Sequence, residues 1–420
     1  MIGARGFAIP PLLRDLSFRR YWAGRSLSLL GGQISMLAFP LTAVLVLKVG
    51  AMGMALLTAV GALPSLFLSI HAGAWVDRRG RRRQVMIVAD LARAVLLALI
   101  PTAWLLQDLS LGLLVAIWLT FGLFSVLFRV ASSAIFVAIV PEEEYGEASR
   151  LLSQSRAAGF FIGPALAGWL IDALGAPLAL LADAVSFVAS AVSLMSVHPR
   201  EPEGHPPDRG QLLVGLRVIR ASSILRPMVL SQLTQSVFRA AFMALYILYG
   251  TRHLDLTAGQ WGLILGPSSV LAMVGSSVTQ PLVKPLGLGR ALIVGTIINT
   301  APLIAIPLVG GPHGLVVGVL FFAEGLAGAG SMMAEITQTT IRSAAVGHAV
   351  RARVSGVFST VGAGMTPVGA ALAAVLVRVV GIHAAMYVIT VGMATAALWL
   401  MVPPVYGLVQ TRDLTAGTDA

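Results

Sequence analysis

The stretch Gly73-Ala-Trp-Val-Asp77-Arg78-Arg-Gly80-Arg81-Arg82-Arg83 decides how the rest of the chain is read. It is a dense basic segment between two long apolar runs, 54–72 before it and 84–106 after it. An arginine at the centre of a bilayer costs roughly 2.5–3.5 kcal/mol even on insertion scales. Five arginines within 78–83 therefore mark a tight turn between two membrane helices, on the cytoplasmic side by the positive-inside rule. Gly80 suits such a turn, which needs a backbone conformation that side chains disfavour. Asp77 is the lone acid of the segment. Its carboxylate can pair with a neighbouring guanidinium or meet the positive N-terminal end of another helix.

Composition agrees with that reading. Of 420 residues, 57% are hydrophobic and 11% charged, against about 25% charged in a soluble domain. The apolar runs are near 20 residues, too long for barrel strands, so the class is an all-α integral membrane protein. The net charge of +11 would suggest nucleic acid in a soluble protein. Here it sits in loops and flanks, where membrane orientation and anionic lipid account for it, so the bilayer is the expected partner and nucleic acid is not. There is no cysteine, hence no disulfide or thiol chemistry. Neither Lys48 nor Lys284 is followed by Ser or Thr, so no phosphate-binding loop of the ATPase type exists. Neither H-E-x-x-H nor G-x-S-x-G occurs, and the seven histidines are scattered. No enzyme activity, cofactor or metal site is expected.

Twelve spans follow along the chain, at about 24–47, 54–76, 84–106, 111–140, 148–174 and 177–197, then 227–249, 260–283, 290–309, 314–339, 350–379 and 382–402. Between the two sets lies 198–210, rich in Pro, Gly and charge, followed by an amphipathic segment 211–222. The expected organisation is an N-terminal six-helix bundle over 1–197, a cytoplasmic linker with a short amphipathic helix over 198–225, and a C-terminal six-helix bundle with a polar, disordered tail over 226–420. Both termini are expected on the cytoplasmic side. The halves also repeat: Gly80 and Arg83 align with Gly287 and Arg290, and Arg150, Gly159 and Pro164 align with Arg353, Gly362 and Pro367 at nearly the same offset.

The basic turn resembles the loop between helices two and three of the major facilitator superfamily, G-x-x-x-D-R-x-G-R-R/K-R/K, matched here by Gly73, Asp77, Arg78, Gly80, Arg81, Arg82 and Arg83. In the fifth predicted helix, Gly159-Phe-Phe-Ile-Gly163-Pro164-Ala-Leu-Ala-Gly168 resembles the motif that superfamily exporters and antiporters carry there. Its glycines let a second helix approach closely, and Pro164 removes one ladder hydrogen bond. Leu13-Arg-Asp-Leu-Ser-Phe18-Arg19-Arg20-Tyr21-Trp22, Phe39-Pro40-Leu41, Asp90-Leu-Ala-Arg93 and Asp183-Ala-Val-Ser-Phe187 are similar to the macrolide-efflux and enterobactin-exporter branch. That resemblance implies a twelve-helix, two-half secondary transporter in a bacterial cytoplasmic membrane. It would be a monomer that exports an amphipathic small molecule in exchange for protons. One departure stands out: Gln33 follows Gly32 where that branch often has Gly-Asp, so a proton-carrying acid is absent from helix one. This keeps a proton-independent facilitator or uptake permease open, and a non-transporting membrane scaffold or sensor is the reading from another class.

Ionisable groups inside apolar helices are expensive and mark candidate sites. Asp90 and Arg93 are three residues apart on one helical face, fitting either a structural pair or a coupling role. Arg239 and Glu324 fall near the midplane of their predicted helices and are the preferred coupling pair, the alternative being a static bridge. Asp183 and Gln33 are further cavity candidates, with Gln232 and Gln235. The acidic turn Glu142-Glu143-Glu144 is expected on the same side as Arg78–Arg83, as a gate of salt bridges or as a solvated loop.

Overall fold

A computed structural model describes residues 11–197 and 211–410. All its regular structure is helical, with no strand among the described residues. In order, the first helices are α1 (Leu16–Leu41, continued by a π-turn Thr42–Val46), α2 (Ala51–Arg79), α3 (Arg82–Leu105), α4 (Leu111–Ile139), α5 (Tyr145–Leu174) and α6 (Ala176–Met195). The surface helix α7 (Gln211–Ala221) leads into α8 (Leu225–His253), α9 (Ala258–Leu286) and α10 (Leu288–Thr300). A short α11 (Ala305–Leu308) extends α10, followed by α12 (His313–Ala344), α13 (His348–Gly364), α14 (Thr366–Ala394) and α15 (Pro403–Tyr406).

Ten described segments are long and apolar enough to cross a membrane. One of them, Arg353–Leu400, has 48 residues. At 1.5 Å per residue it would be about 72 Å long, more than twice a hydrocarbon core of about 30 Å. It turns back at Gly381, whose φ is +79°, and so crosses twice. The twelfth crossing is α8, 29 residues long, whose Ser231, Gln232, Thr234, Gln235, Ser236 and Arg239 dilute its apolar character. The fold is the twelve-helix arrangement.

Three boundaries differ from expectation. The basic segment is mostly helical: α2 runs through Arg79 and α3 begins at Arg82, leaving Gly80 and Arg81 as the turn. Gly80 has φ +62° with open space where a Cβ would sit, so conformation and not crowding requires glycine. Helix α1 starts at Leu16, eight residues before the expected 24, because Asp15 caps it: the Phe18 N–H donates to Asp15 Oδ1 at 2.7 Å. Finally, the chain beyond the last span is ordered as far as 410. The Gly289 N–H donates to the Leu408 carbonyl at 2.9 Å and the Leu288 N–H to that of Val409 at 3.3 Å, tying this segment to the turn before α10. Residues 198–210 of the expected linker and 411–420 of the tail lie outside the described residues.

Two compact units result: Met1–Phe39 with Phe67–Pro207, and Pro40–Leu66 with Asp208–Ala420. In the first, α3 packs on α6 and α4. One hydrophobic core of that bundle includes Phe18, Tyr21, Val76, Met86, Phe128 and Leu194. In the second, α12 packs on α9 and α10, and α14 on α8. Glycines set these contacts: a Cβ on Gly328 would strike the Ser268 backbone, on Gly330 that of Asn299, and on Gly369 that of Val237. Within this unit Ala55 and Ala59 of α2 pack against Ala370 and Ala374 of α14. Helix α7 lies on α13, with Gly215 against the Arg353 carbonyl; Ile219 is buried while Arg217 and Arg220 are exposed.

Candidate functional site

In the first unit three of the predicted ionisable residues come together. Asp90 and Asp183 are fully buried and Arg93 nearly so. The Arg93 guanidinium donates to Asp90 Oδ1 one turn away. It also lies 4.4 Å from the Phe128 ring centroid and 4.2 Å from that of Phe187, sandwiched between α4 and α6. Asp183 has different partners: Ser186 Oγ donates to Oδ1 at 2.9 Å, and Ser35 Oγ, from α1, donates to Oδ2. Arg93 stands within electrostatic reach of Asp183, and Ser190 faces Asp90. Gly31 makes the α1 approach possible, since a Cβ there would overlap Ser186 Oγ and Asp183 Oδ1. The half-buried Arg25 adds a second cation, 5.3 Å from the Phe128 centroid. The cluster thus holds two carboxylates and two guanidinia between α1, α3, α4 and α6.

Gln33 does not join it. Its Cβ and Cγ lie where a Cβ on Gly163 would be, and one turn earlier the Leu29 carbonyl lies 3.8 Å from the Cβ position of Gly159. The buried face Gly159, Gly163, Pro164 and Gly168 is therefore the seat of α1 on α5, while Phe160, Phe161, Ile162 and Trp169 are exposed on the other side.

The basic turn has work inside its own unit. Arg83 donates to the Val197 carbonyl at 2.6 Å and Arg20 to that of Ser196 at 3.2 Å, so two guanidinia cap the C-terminal end of α6. Arg82 is buried, Arg78 and Arg81 are exposed, and Gly73 lies within α2. The Asp77 side chain lies outside what the structure describes. Glu142 and Glu143 are exposed and Glu144 half-buried in a single 3-10 turn. Among the described residues none of the three forms a salt bridge; the ion pair nearby is Arg150–Glu147 at 4.0 Å.

In the second unit Glu324 of α12 is buried and Arg239 of α8 exposed. They interact electrostatically but form no salt bridge among the described residues. The carboxylate faces Tyr246 instead, short of hydrogen-bond geometry: Glu324 Oε1 and the Tyr246 hydroxyl are both buried without a partner. Tyr246 is held by Phe242, stacked at 4.4 Å, and by the edge of Trp261 at 4.7 Å. Lower on the same helices Gln338 Nε2 donates to Gln232 Oε1 at 3.3 Å.

Arg25, Ser35 and Tyr246 were not singled out in the sequence. Arg25 carried a usable signal, a charge inside an apolar span. Ser35 and Tyr246 carried none, because a serine or tyrosine in a membrane helix is unremarkable until its neighbour is known.

Two bundles of long apolar helices, one holding a buried charge cluster and the other a single buried carboxyl, define a polytopic membrane protein. The sequence profile of the Major Facilitator Superfamily matches residues 21–370, and the chain belongs to that family. Among curated relatives, the multidrug efflux pump Tap of Mycolicibacterium fortuitum is 26% identical over 379 residues, covering 84% of this chain and 87% of that protein. The Tap of Mycobacterium tuberculosis H37Rv is 26% identical over 376 residues, with 84% and 85% covered. Among solved structures, the chain resembles a bacterial homologue of the iron transporter ferroportin in an inward-facing state, with TM-score 0.72, 17% identity, and 93% and 99% of the two chains covered. It also resembles the nucleoside transporter NupG, with TM-score 0.72, 11% identity, and 92% and 98% covered. At these identities the structures speak for the fold alone.

Proposed function

We propose that this protein exports an amphipathic small molecule, such as a drug, natural product or siderophore, in exchange for protons by alternating access. It acts as a monomer in a bacterial cytoplasmic membrane with both termini inside. The observation that carries the export reading is the match to multidrug efflux pumps over most of both chains. The placement of arginines at the turns supports the orientation. Proton coupling is assigned to Glu324, a carboxyl buried in the second unit with Arg239 in electrostatic reach but not bridged. A carboxylate in apolar surroundings is costly unless paired or protonated, so proton and ion pair can alternate.

Glu324→Gln removes the titratable group at nearly constant volume. In proteoliposomes carrying a fluorescent amphipathic dye, the variant should lose uphill export driven by a pH gradient and keep downhill exchange. Uphill export at the wild-type rate would end the assignment. Gln33 in helix one favours the second reading, a proton-independent facilitator. That reading predicts that wild-type protein equilibrates the dye and never concentrates it.

A further inference from the structure

We propose that Asp183 is a proton-carrying residue of the first unit, binding and releasing a proton beneath α1. This second proton site rests on the proton-driven reading of the transport cycle.

Asp183 lies about 10.5 Å along α6, a helix of 20 residues, and is fully buried. A carboxyl at that depth is costly as an ion unless a cation meets it. Among the described residues Asp183 forms no salt bridge. The guanidinium of the cluster, Arg93, is bridged to Asp90 and held between the Phe128 and Phe187 rings. Hydroxyls meet both Asp183 oxygens instead: Ser186 on its own helix donates to Oδ1 at 2.9 Å, and Ser35 of α1 donates to Oδ2. A hydroxyl serves either protonation state, since it donates to a carboxylate or accepts from a carboxylic acid. When Ser35 accepts, its own hydrogen has a second place to go, a carbonyl of the preceding turn of α1. Asp90 is the poorer carrier, because Arg93 holds its Oδ1 as an ion. Its Oδ2 is buried with no partner, so a second carboxylate beside it adds like charge to a site already short of donors.

Position gives the proton a consequence. Gly31 lets α1 lie directly on the Asp183 carboxyl, and Gly24 lies against Ser190 and Ser193 on the same seam. There Ser193 Oγ donates to the Arg20 carbonyl at 2.7 Å. Helix α1 has no acid of its own, and Asp183 brings one to it from α6. Among the described residues, Arg93 and Asp90 of α3 are the charged groups that act on Asp183, and α1, α4 and α5 present no other. The step is a proton exchange. The O–H bond of the Asp183 carboxyl breaks, and the proton passes to water when the seam between α1 and α6 opens. The carboxylate left behind is held by the two hydroxyls and by Arg93, and reprotonation returns Arg93 to Asp90 alone.

Infrared titration of the purified full-length protein in lipid nanodiscs reads the proton without a substrate. The wild type should show a protonated-carboxyl component that is lost in Asp183→Asn and kept in Glu324→Gln. Ser35→Ala deletes a donor that favours the ion, so it should raise the pH of half-protonation of that component by about one unit. This arm stands even if Asp183→Asn fails to insert. Asp90→Asn frees Arg93 for Asp183 and should lower the same midpoint. A component that outlasts Asp183→Asn, or a midpoint indifferent to both Ser35→Ala and Asp90→Asn, overturns the site. In proteoliposomes Asp183→Asn should lose uphill dye export driven by a pH gradient and keep downhill exchange. Loss of both, or of neither, overturns its role as a carrier. If the wild type concentrates the dye and Asp183→Asn does so equally well, this inference alone fails. If the wild type never concentrates the dye, the proton-driven reading falls and takes the carrier role with it.

Discussion

Single side chains carry the chemistry, and their partners separate structural from functional roles. Arg93 is satisfied by Asp90 and by two aromatic rings, an arrangement suited to holding α3, α4 and α6 together. Removing one member of a buried pair strands the other charge, which costs about 3–5 kcal/mol. Asp183 is close enough to soften the loss. Asp90→Asn should therefore destabilise the protein by about 3 kcal/mol, read as a lowered midpoint in denaturation of the purified protein. The double variant Asp90→Asn with Arg93→Gln should regain more than half of that. Recovery of stability together with transport would assign the pair to structure. Recovery of stability with uphill export lost would place it in the coupling machinery. The charges themselves were legible in the sequence, since an acid inside an apolar run stands out. Their partners were not: nothing along the chain links Ser35 to Asp183, 148 residues apart.

At the scale of elements, α1 is held from two sides. Leu29 and Gln33 rest on the glycine face of α5, and Gly31 and Ser35 meet α6 on the other side. Both contacts are spaced one turn apart, as ridge-into-groove packing requires. Gly163→Val puts a branched side chain where Gln33 already lies, and overpacking of this kind costs about 1–3 kcal/mol. The expected result is a lower melting temperature in detergent, with partial rescue by Gln33→Ala. An unchanged melting temperature would show that α1 is not seated on that face. The motif was visible in the sequence as spaced glycines, but the helix resting on it was not. The same holds for α2 and α3. Hydropathy located both helices, yet Asp77 to Arg79 proved helical, because local hydrogen bonding continues a helix until a residue such as Gly80 stops it.

For the whole molecule, the two halves share their turn chemistry. Gly80 and Gly287, 207 residues apart, both have positive φ, and so do Gly175 and Gly381, 206 apart. These turns open α3 and α10 in one pair, and α6 and the last span in the other. The first pair has diverged. Open space surrounds the Cβ position at Gly80, whereas at Gly287 it lies 2.9 Å from the Leu408 carbonyl. Alanine at Gly80 should cost about 1–2 kcal/mol through backbone strain alone. At Gly287 it should cost clearly more, because the C-terminal segment must also move. Thermal unfolding of the two variants side by side checks this, and equal losses would mean that residues 403–410 contribute nothing to stability. The sequence by itself determined the membrane class, the place of nearly every span, the family and the polar positions worth testing. Those follow from the transfer free energy of apolar runs and from local backbone preference, which add up along the chain. Only the tertiary structure decided that Glu324 faces Tyr246, that Gln33 packs on Gly163, and that Arg83 caps α6. Each depends on the rotation of one helix against another, set by contacts between residues far apart in the chain.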